Sequence, residues 1–163
     1  MRVLGIDPGF GILGWAVIDE KLRAIEYGVI ETPSTAGLDE RLLQIHAGLL
    51  AIIDRHRPDH AALERLFHAR NTTTSLDVAK GIGVILLTLR MRGIDYAEYA
   101  PSQIKRSITG YGKANKEQMQ GMVVRIFNLA AIPRPDDAAD ALAVAACHAM
   151  ARAASRSPLR KSS

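Results

Sequence analysis

Apolar positions along the chain recur first at a strand period and then, for much of its length, at a helical one. Arg2 to Ile6 forms a short apolar run closed by Asp7, Pro8 and Gly9, a turn signal, and Ile12 to Ile18 resumes with a second strand pattern, so a hairpin is expected. Leu22 to Glu31 reads as a third strand. Leu38, Leu42, Ile45, Leu49 and Ile52 then step by four and three, the stripe of an amphipathic helix. That helix stops near His56, because Pro58 pushes Arg57 out of the α region. His60 to Leu66 reads as a fourth strand. Asn71 to Ser75 offer N-caps for a long apolar helix to about Met91, Gly93 closes it, and Ile94 to Tyr99 is a fifth strand. Ser102 to Thr109 and Asn115 to Leu129 read as helices joined by a flexible link, Gly110 to Gly112, and a last helix runs from Asp136 to about Arg152.

A three-strand meander followed by helix, strand, helix, strand and further helices predicts an α/β fold, a mixed five-stranded sheet with helices on both faces. The 163 residues suit one domain, residues 1–151, while residues 152–163, rich in Ser, Ala and Arg, read as a disordered basic tail. With 48% apolar residues and a mean hydropathy of +0.03, neither a disordered chain nor a membrane protein is expected. No apolar stretch precedes Asp7 and Pro8 that could serve as a signal segment, and Cys147 is the only cysteine. The expectation is a soluble cytoplasmic protein without disulfide or thiolate metal cage.

The net charge of +4 resides in the tail, since residues 1–150 balance. Within that neutral body the charge is segregated. Lys105, Arg106, Lys113, Lys116 and Arg125 face only Glu117 between residues 102 and 125, so acids are in excess elsewhere. Such a basic strip suits phosphates on one surface and carboxylates on another, although a solvated helix and loop would look the same.

Four acids stand out. Asp7 ends a strand, and Pro8 restricts it to an extended backbone; alone it would be an ordinary turn residue. Glu64 lies late in an alternating strand, where it either faces water or is buried with a partner such as Arg65, Arg70 or a metal. Asp136 is an ordinary first-turn acid complementing a helix dipole. Asp137 and Asp140 share a face of a helix that runs from Ala138 to Met150 with only His148 as a polar interruption, so this helix is expected to be buried nearly all round. Convergence of Asp7, Glu64, Asp137 and Asp140 at one sheet edge would be repulsive unless divalent cations neutralised them. Oxygen-only ligands select Mg²⁺ or Mn²⁺, and two such ions about 4 Å apart are a device for in-line hydrolysis of a phosphodiester.

The segments MRVLGIDPGFGILGWAVI, ALERLF followed by HARN, and DDAADALAVAACHA closely resemble the RuvC family of Holliday-junction resolvases, with matching element order from Met1 to about Ala151. GIDPG and DAADALA are specific as a pair, whereas either alone would be modest support. The resemblance implies a ribonuclease H-like fold, paired nicking of four-way DNA junctions by a homodimer in recombination and repair, and cooperation with branch-migration motor proteins. It also implies Asp7, Glu64, Asp137 and Asp140 as catalytic metal ligands, with two Mg²⁺ or Mn²⁺ ions per subunit. Some members carry histidine at the position of Asp137; this chain keeps the acid.

Phe67 matches the family's aromatic position that stacks on bases at the junction centre, with Arg70 as a neighbouring cation; the ordinary alternative is a core phenylalanine. Lys105 and Lys116 match family lysines near the scissile phosphate, and Lys113 is a third cation offered by the same link. Gly81 and Gly83 lack the setting of a dinucleotide fingerprint and are expected to permit close helix packing. Two symmetric nicks need two active sites, and the helix from Leu76 to Met91, with Ile82, Ile85, Leu86 and Leu89, offers apolar surface for a dimer contact or for an ordinary core. His46, His56, His60, His148, Cys147 and Trp15 read as structural. An actin-like ATP-binding fold would require a second phosphate hairpin, and none is visible. A non-catalytic junction binder would have no use for four converging acids.

Overall fold

Arg2–Asp7 (β1), with Val3, Leu4 and Ile6 fully buried, takes the middle of the sheet in the computed structural model, which describes residues 1–65 and 72–156. Ile12–Asp19 (β2) pairs antiparallel with β1, and Ala24–Glu31 (β3) pairs antiparallel with β2. On the other side His60–Glu64 (β4) runs parallel to β1, and Asp95–Tyr99 (β5) parallel to β4, giving the order β3-β2-β1-β4-β5. Parallel neighbours need crossovers. Helices Leu38–His56 (α1) and Thr72–Met91 (α2) supply them, and Pro101–Thr109 (α3), Lys116–Phe127 (α4) and Asp136–Arg156 (α5) follow.

Strand alternation splits the core in two. Leu4, Ile6, Leu13, Val17, Ala61 and Leu63 meet α1 and α2. Val3, Ala16, Ile18 and Ala62 point the other way, toward α3, α4 and α5. The expected mixed five-stranded sheet with helices on both faces is therefore the observed one. As expected, α5 is buried nearly all round from Ala138 to Ala149, with only Asp140 partly exposed.

Boundaries differ where local chemistry decides them. β3 begins at Ala24, because Leu22 takes a left-handed conformation (φ 57°) in a turn held by the Asp19 carboxylate, which accepts from the N–H groups of Lys21 and Arg23. Helix α1 ends as the sequence implies, with Arg57 in the left-handed region and its N–H donating to the Ile53 carbonyl. Helix α4 stops at Phe127, two residues before the expected Leu129, since Asn128 adopts the left-handed cap. Strand β4 closes at Glu64, so Arg65 falls outside the strand expected to include it, and Leu66 lies outside the described residues. The last helix runs on to Arg156, so residues 152–156 of the expected disordered tail are helical; residues 157–163 lie outside the described part.

Along α2 the apolar surface divides into two faces. Ile85 and Leu89 are 1% and 0% exposed and belong to the core, which corrects the reading of both as contact candidates. Leu76, Leu87 and Met91 point outward instead, and a methyl group built on Gly83 would meet nothing within 4 Å. Gly81 faces Ile45 of α1, but a methyl group there would stand at an ordinary 3.6 Å, so the expected close helix packing at Gly81 and Gly83 is not what the fold requires of them. His46 bonds the buried Thr88 hydroxyl at 2.7 Å and His148 bonds Tyr99 at 2.9 Å, both structural roles.

Candidate functional site

The strand period that places Gly5 against α5 also sends Asp7 to that face of the sheet. In the parallel ladder Ile6 pairs with Leu63, so the residues that follow them, Asp7 and Glu64, end adjacent strands side by side on the α5 face. The sheet thus contributes two carboxylates at one edge.

Helix α5 supplies the other two because two glycines let it lie unusually close. A Cβ on Gly5 would stand 2.2 Å from the Ala141 carbonyl oxygen, and one on Gly14 would stand 2.0 Å from that of Asp137. Gly14 pairs with Asp7 across the β1–β2 hairpin. The backbone of Asp137 therefore rests on the strand beside Asp7, and Asp140 follows one turn later on the same helix face.

Electrostatics records the convergence. The Asp7 carboxyl is pushed up to about 8, first by burial and then by the charges of Asp140, Glu64 and Asp137, with Lys116 acting in opposition. Glu64 is raised by burial and by Asp140, and Lys105 is the cation that pulls it back. Asp140 is raised by burial, against the pull of Lys116 and with reinforcement from Asp137 and Asp136. Among the described residues, however, no three carboxylate, imidazole or thiol side chains already enclose a point that could hold a metal ion. The carboxylates sense one another without being gathered round a common centre. Their donor set still fits a hard divalent cation: oxygen only, drawn from β1, β4 and α5, and electrostatically strained without a counterion.

A cleft of about 270 Å³ is lined by Glu64, Asp140, Lys105 and Lys116, with Pro101, Ile104, Met119 and Ala143 as its apolar walls. Two of the three candidate lysines thus share a cleft with two of the four acids, whereas Lys113 is exposed and not part of this lining. Lys116 Nζ lies 2.5 Å from a carboxylate oxygen of Asp136, which also pairs with Arg134. Asp136, read from sequence as a dipole-complementing acid, therefore also tethers Lys116. Phe67 and Arg70 lie outside the described residues. The sequence reading missed Gly5 and Gly14, whose role depends on residues of the last helix, Ala141 and Asp137, far downstream in the chain; their place inside otherwise alternating strands was the available signal.

A larger cavity, about 470 Å³, opens between Thr109, Tyr111 and the Glu117, Gln118, Gly121, Met122 and Arg125 side of α4. It contains none of the four acids. Volume does not mark the site: a cavity of about 540 Å³ beside Gly11, Glu31, Thr32 and Arg41 is larger still, and the chemistry lies in the smallest of the three.

Comparison with known proteins places the chain as a whole. The family model described as crossover junction endodeoxyribonuclease RuvC matches residues 3–148. The RuvC of Chloroflexus aggregans is 50% identical over 152 residues, covering 91% of this chain and 93% of that protein. The Thermotoga petrophila RuvC is 45% identical over 159 residues, covering 96% of each. Among solved structures, Thermus thermophilus RuvC in complex with a Holliday junction substrate superimposes with a TM-score of 0.90 at 36% identity, over 94% of this chain and 96% of that one. The yeast mitochondrial Holliday junction resolvase Ydc2, at 14% identity and a TM-score of 0.67, shares the ribonuclease H-like fold. With a family match over nearly its whole length and relatives at up to half identity, the chain belongs to the RuvC family of crossover junction endodeoxyribonucleases.

Proposed function

We propose that the protein is a divalent-metal-dependent endonuclease that resolves four-way DNA junctions by paired symmetric nicks, acting as a single nuclease domain in the cytoplasm. The observation that supports this reading is that Asp7 senses the charges of Glu64, Asp137 and Asp140, next to a cleft lined by Glu64, Asp140, Lys105 and Lys116. Asp7, Glu64, Asp137 and Asp140 would hold two Mg²⁺ or Mn²⁺ ions. Bound there, the ions would supply activation of water and stabilisation of the departing oxygen. Lys105 and Lys116 hold the DNA phosphates at the mouth of the cleft, Lys116 exchanging the Asp136 carboxylate for a phosphate oxygen. Lys113 contacts the backbone farther out, while Phe67 and Arg70 engage bases and phosphates at the junction centre. Branch-migration motors are its functional partners. Among the described residues no helix is long and apolar enough to cross a membrane.

The direct test is cleavage of four-way and linear DNA of the same sequence. The junction is cut in Mg²⁺ or Mn²⁺, the duplex is spared, and EDTA stops the reaction; cutting by the chelated protein, or equal cutting of both DNAs, overturns the reading. Each of Lys105→Ala and Lys116→Ala flattens the slope of log affinity against log salt by about one unit. An unchanged slope removes that lysine from the DNA.

One four-carboxylate cluster makes one nick, so coordinated cutting calls for a C2 dimer. The outward face of α2 is the proposed contact, with Leu87 (59% exposed) and Met91 (60%) one and two turns beyond the open surface over Gly83. Leu87→Glu yields a folded monomer in sedimentation that nicks one strand and releases the junction. A dimer unaffected by this change places the contact elsewhere.

A further inference from the structure

The protein's two β-hairpin turns are held in different ways. Between β2 and β3 the turn is closed locally, by Asp19 and residues up to four positions away. The turn from Pro8 to Gly11, which directly follows Asp7, is instead held from a distance. The Phe10 carbonyl accepts from the Thr32 hydroxyl at 2.6 Å and from Arg41 Nη2 at 3.3 Å. Arg41 Nε donates to that same Thr32 oxygen at 3.0 Å, and the guanidinium lies 3.9 Å from the centroid of the Phe10 ring. The Thr32 N–H closes the arrangement by donating to the Gly11 carbonyl at 2.9 Å. Phe10 and Thr32 are both buried.

This is a costly way to hold a turn. It desolvates a hydroxyl and partly desolvates a guanidinium, and it draws on residues 22 and 31 positions away in sequence. A planar, five-donor cation is suited to fixing two oxygens and a ring at once, which a lysine could not do. The turn is also tight, since a Cβ on Gly9 would stand 1.9 Å from the Ile12 carbonyl oxygen. Two residues, Pro8 and Gly9, separate the clamped Phe10 from Asp7, and proline removes most of the freedom between them.

We infer that Arg41 and Thr32 are positioning residues of the nuclease reaction: by clamping Phe10 to the start of α1 they fix the turn that aims the Asp7 carboxylate. The inference rests on the proposed function, but its structural half can be measured without catalysis. Misplacing a reacting group by an ångström costs about a hundredfold in rate, whereas binding of the junction, made through phosphates elsewhere, is untouched.

The test uses the full chain. Arg41→Met keeps an apolar stem over Phe10 and removes the donors, and Thr32→Val removes the hydroxyl at constant shape; Arg41→Lys and Thr32→Ser are the conservative partners. Three readouts are taken: single-turnover junction cleavage in Mg²⁺ with the junction Kd in EDTA, Mn²⁺ affinity by calorimetry, and hydrogen exchange of the peptide spanning residues 8–13. For Arg41→Met and Thr32→Val, cleavage falls roughly ten- to a hundredfold, Kd stays within about twofold, Mn²⁺ binds more weakly and only the 8–13 peptide exchanges faster. Thr32→Ser recovers most of the rate, and Arg41→Lys part of it. Unchanged exchange and Mn²⁺ binding in both variants overturn the inference, as does a loss of junction affinity matching the loss of rate, which would make Arg41 a DNA contact. Protection lost across the whole molecule overturns it too, and if Arg41→Met does not fold, the isosteric Thr32→Val decides. Should the wild type fail to cut junctions, the proposed function falls, and the exchange and Mn²⁺ measurements still judge the clamp.

Discussion

Asp7→Asn, Glu64→Gln and Asp140→Asn each lower junction cutting by at least about a thousandfold, while four-way junctions remain bound as tightly as by the wild type or more so. Each change deletes ligand charge at nearly constant shape. Metal ions contribute several kcal/mol of transition-state stabilisation, and about 4 kcal/mol corresponds to a thousandfold in rate. Binding follows a different account, because phosphate contacts dominate affinity and the lost acids had repelled the DNA. Single-turnover cleavage alongside gel-shift titration in EDTA separates the two quantities. Near-normal cutting by any of the three variants removes that carboxylate from the site.

The metal-free protein loses stability as pH rises from about 6.5 to 8, and Mg²⁺ restores it. In the folded state Asp7 is held up near 8, while in the unfolded chain it titrates near its ordinary 3.8. Between those limits the native state keeps a proton that the unfolded state has released, so stability falls by about 1.4 kcal/mol per pH unit. Below the lower limit both states are protonated and the full contribution is present; above the upper one the loss is complete. His148 acts oppositely. Burial, reinforced by His60 and Arg152, lowers it from 6.5 to about 4, so stability rises with pH across that interval as the unfolded state gives up the proton that the native state never held. The two slopes oppose each other between about 4 and 6.5, where Glu64 and Asp140, also raised, side with Asp7; above 6.5 His148 no longer contributes and the decline belongs to the raised carboxyls, Asp7 foremost. Denaturant unfolding in EDTA should therefore decline toward pH 8, and Asp7→Asn should remove most of the decline between pH 6.5 and 8. Magnesium adds RT ln(1 + [Mg²⁺]/Kd) to the native state, about 2.7 kcal/mol at a hundredfold excess over Kd. A flat wild-type profile from pH 6.5 to 8 would contradict the crowded-carboxylate picture.

Much of this was legible in the chain because the signals were local or periodic. Sheet and helix periods, the Pro58 stop and the Asn115 cap sit within a few residues of what they control, and the element order follows from them. The acids were legible because each ends a strand or opens a helix. Contacts made at long range were not. Whether Ile85 or Leu87 faced outward depended on how α2 is rotated over α1, which a continuously apolar helix does not specify. That Gly14 seats Asp137, that Asp136 tethers Lys116, and that Arg41 reaches Phe10 are properties of the assembled layers. The extra turn at the end of α5 is not marked in the sequence, because its alanines and arginines, strong helix formers, run without a break into the Ser- and Arg-rich tail.

The seam that brings α5 to the sheet is formed at Gly5, Gly14, Ala141 and Ala145, groups with no side-chain torsions to adjust. A contact of this kind has a single spacing and no repertoire of alternatives, so the distance between the sheet-borne and helix-borne acids is gauged by backbone against backbone. Such a gauge cannot drift gradually. It holds until the helix lifts as a body, and because that helix is the buried centre of one half of the core, lifting it is unfolding. Catalytic competence and global folding should accordingly be lost in one cooperative step on heating, with no folded but inactive species between them.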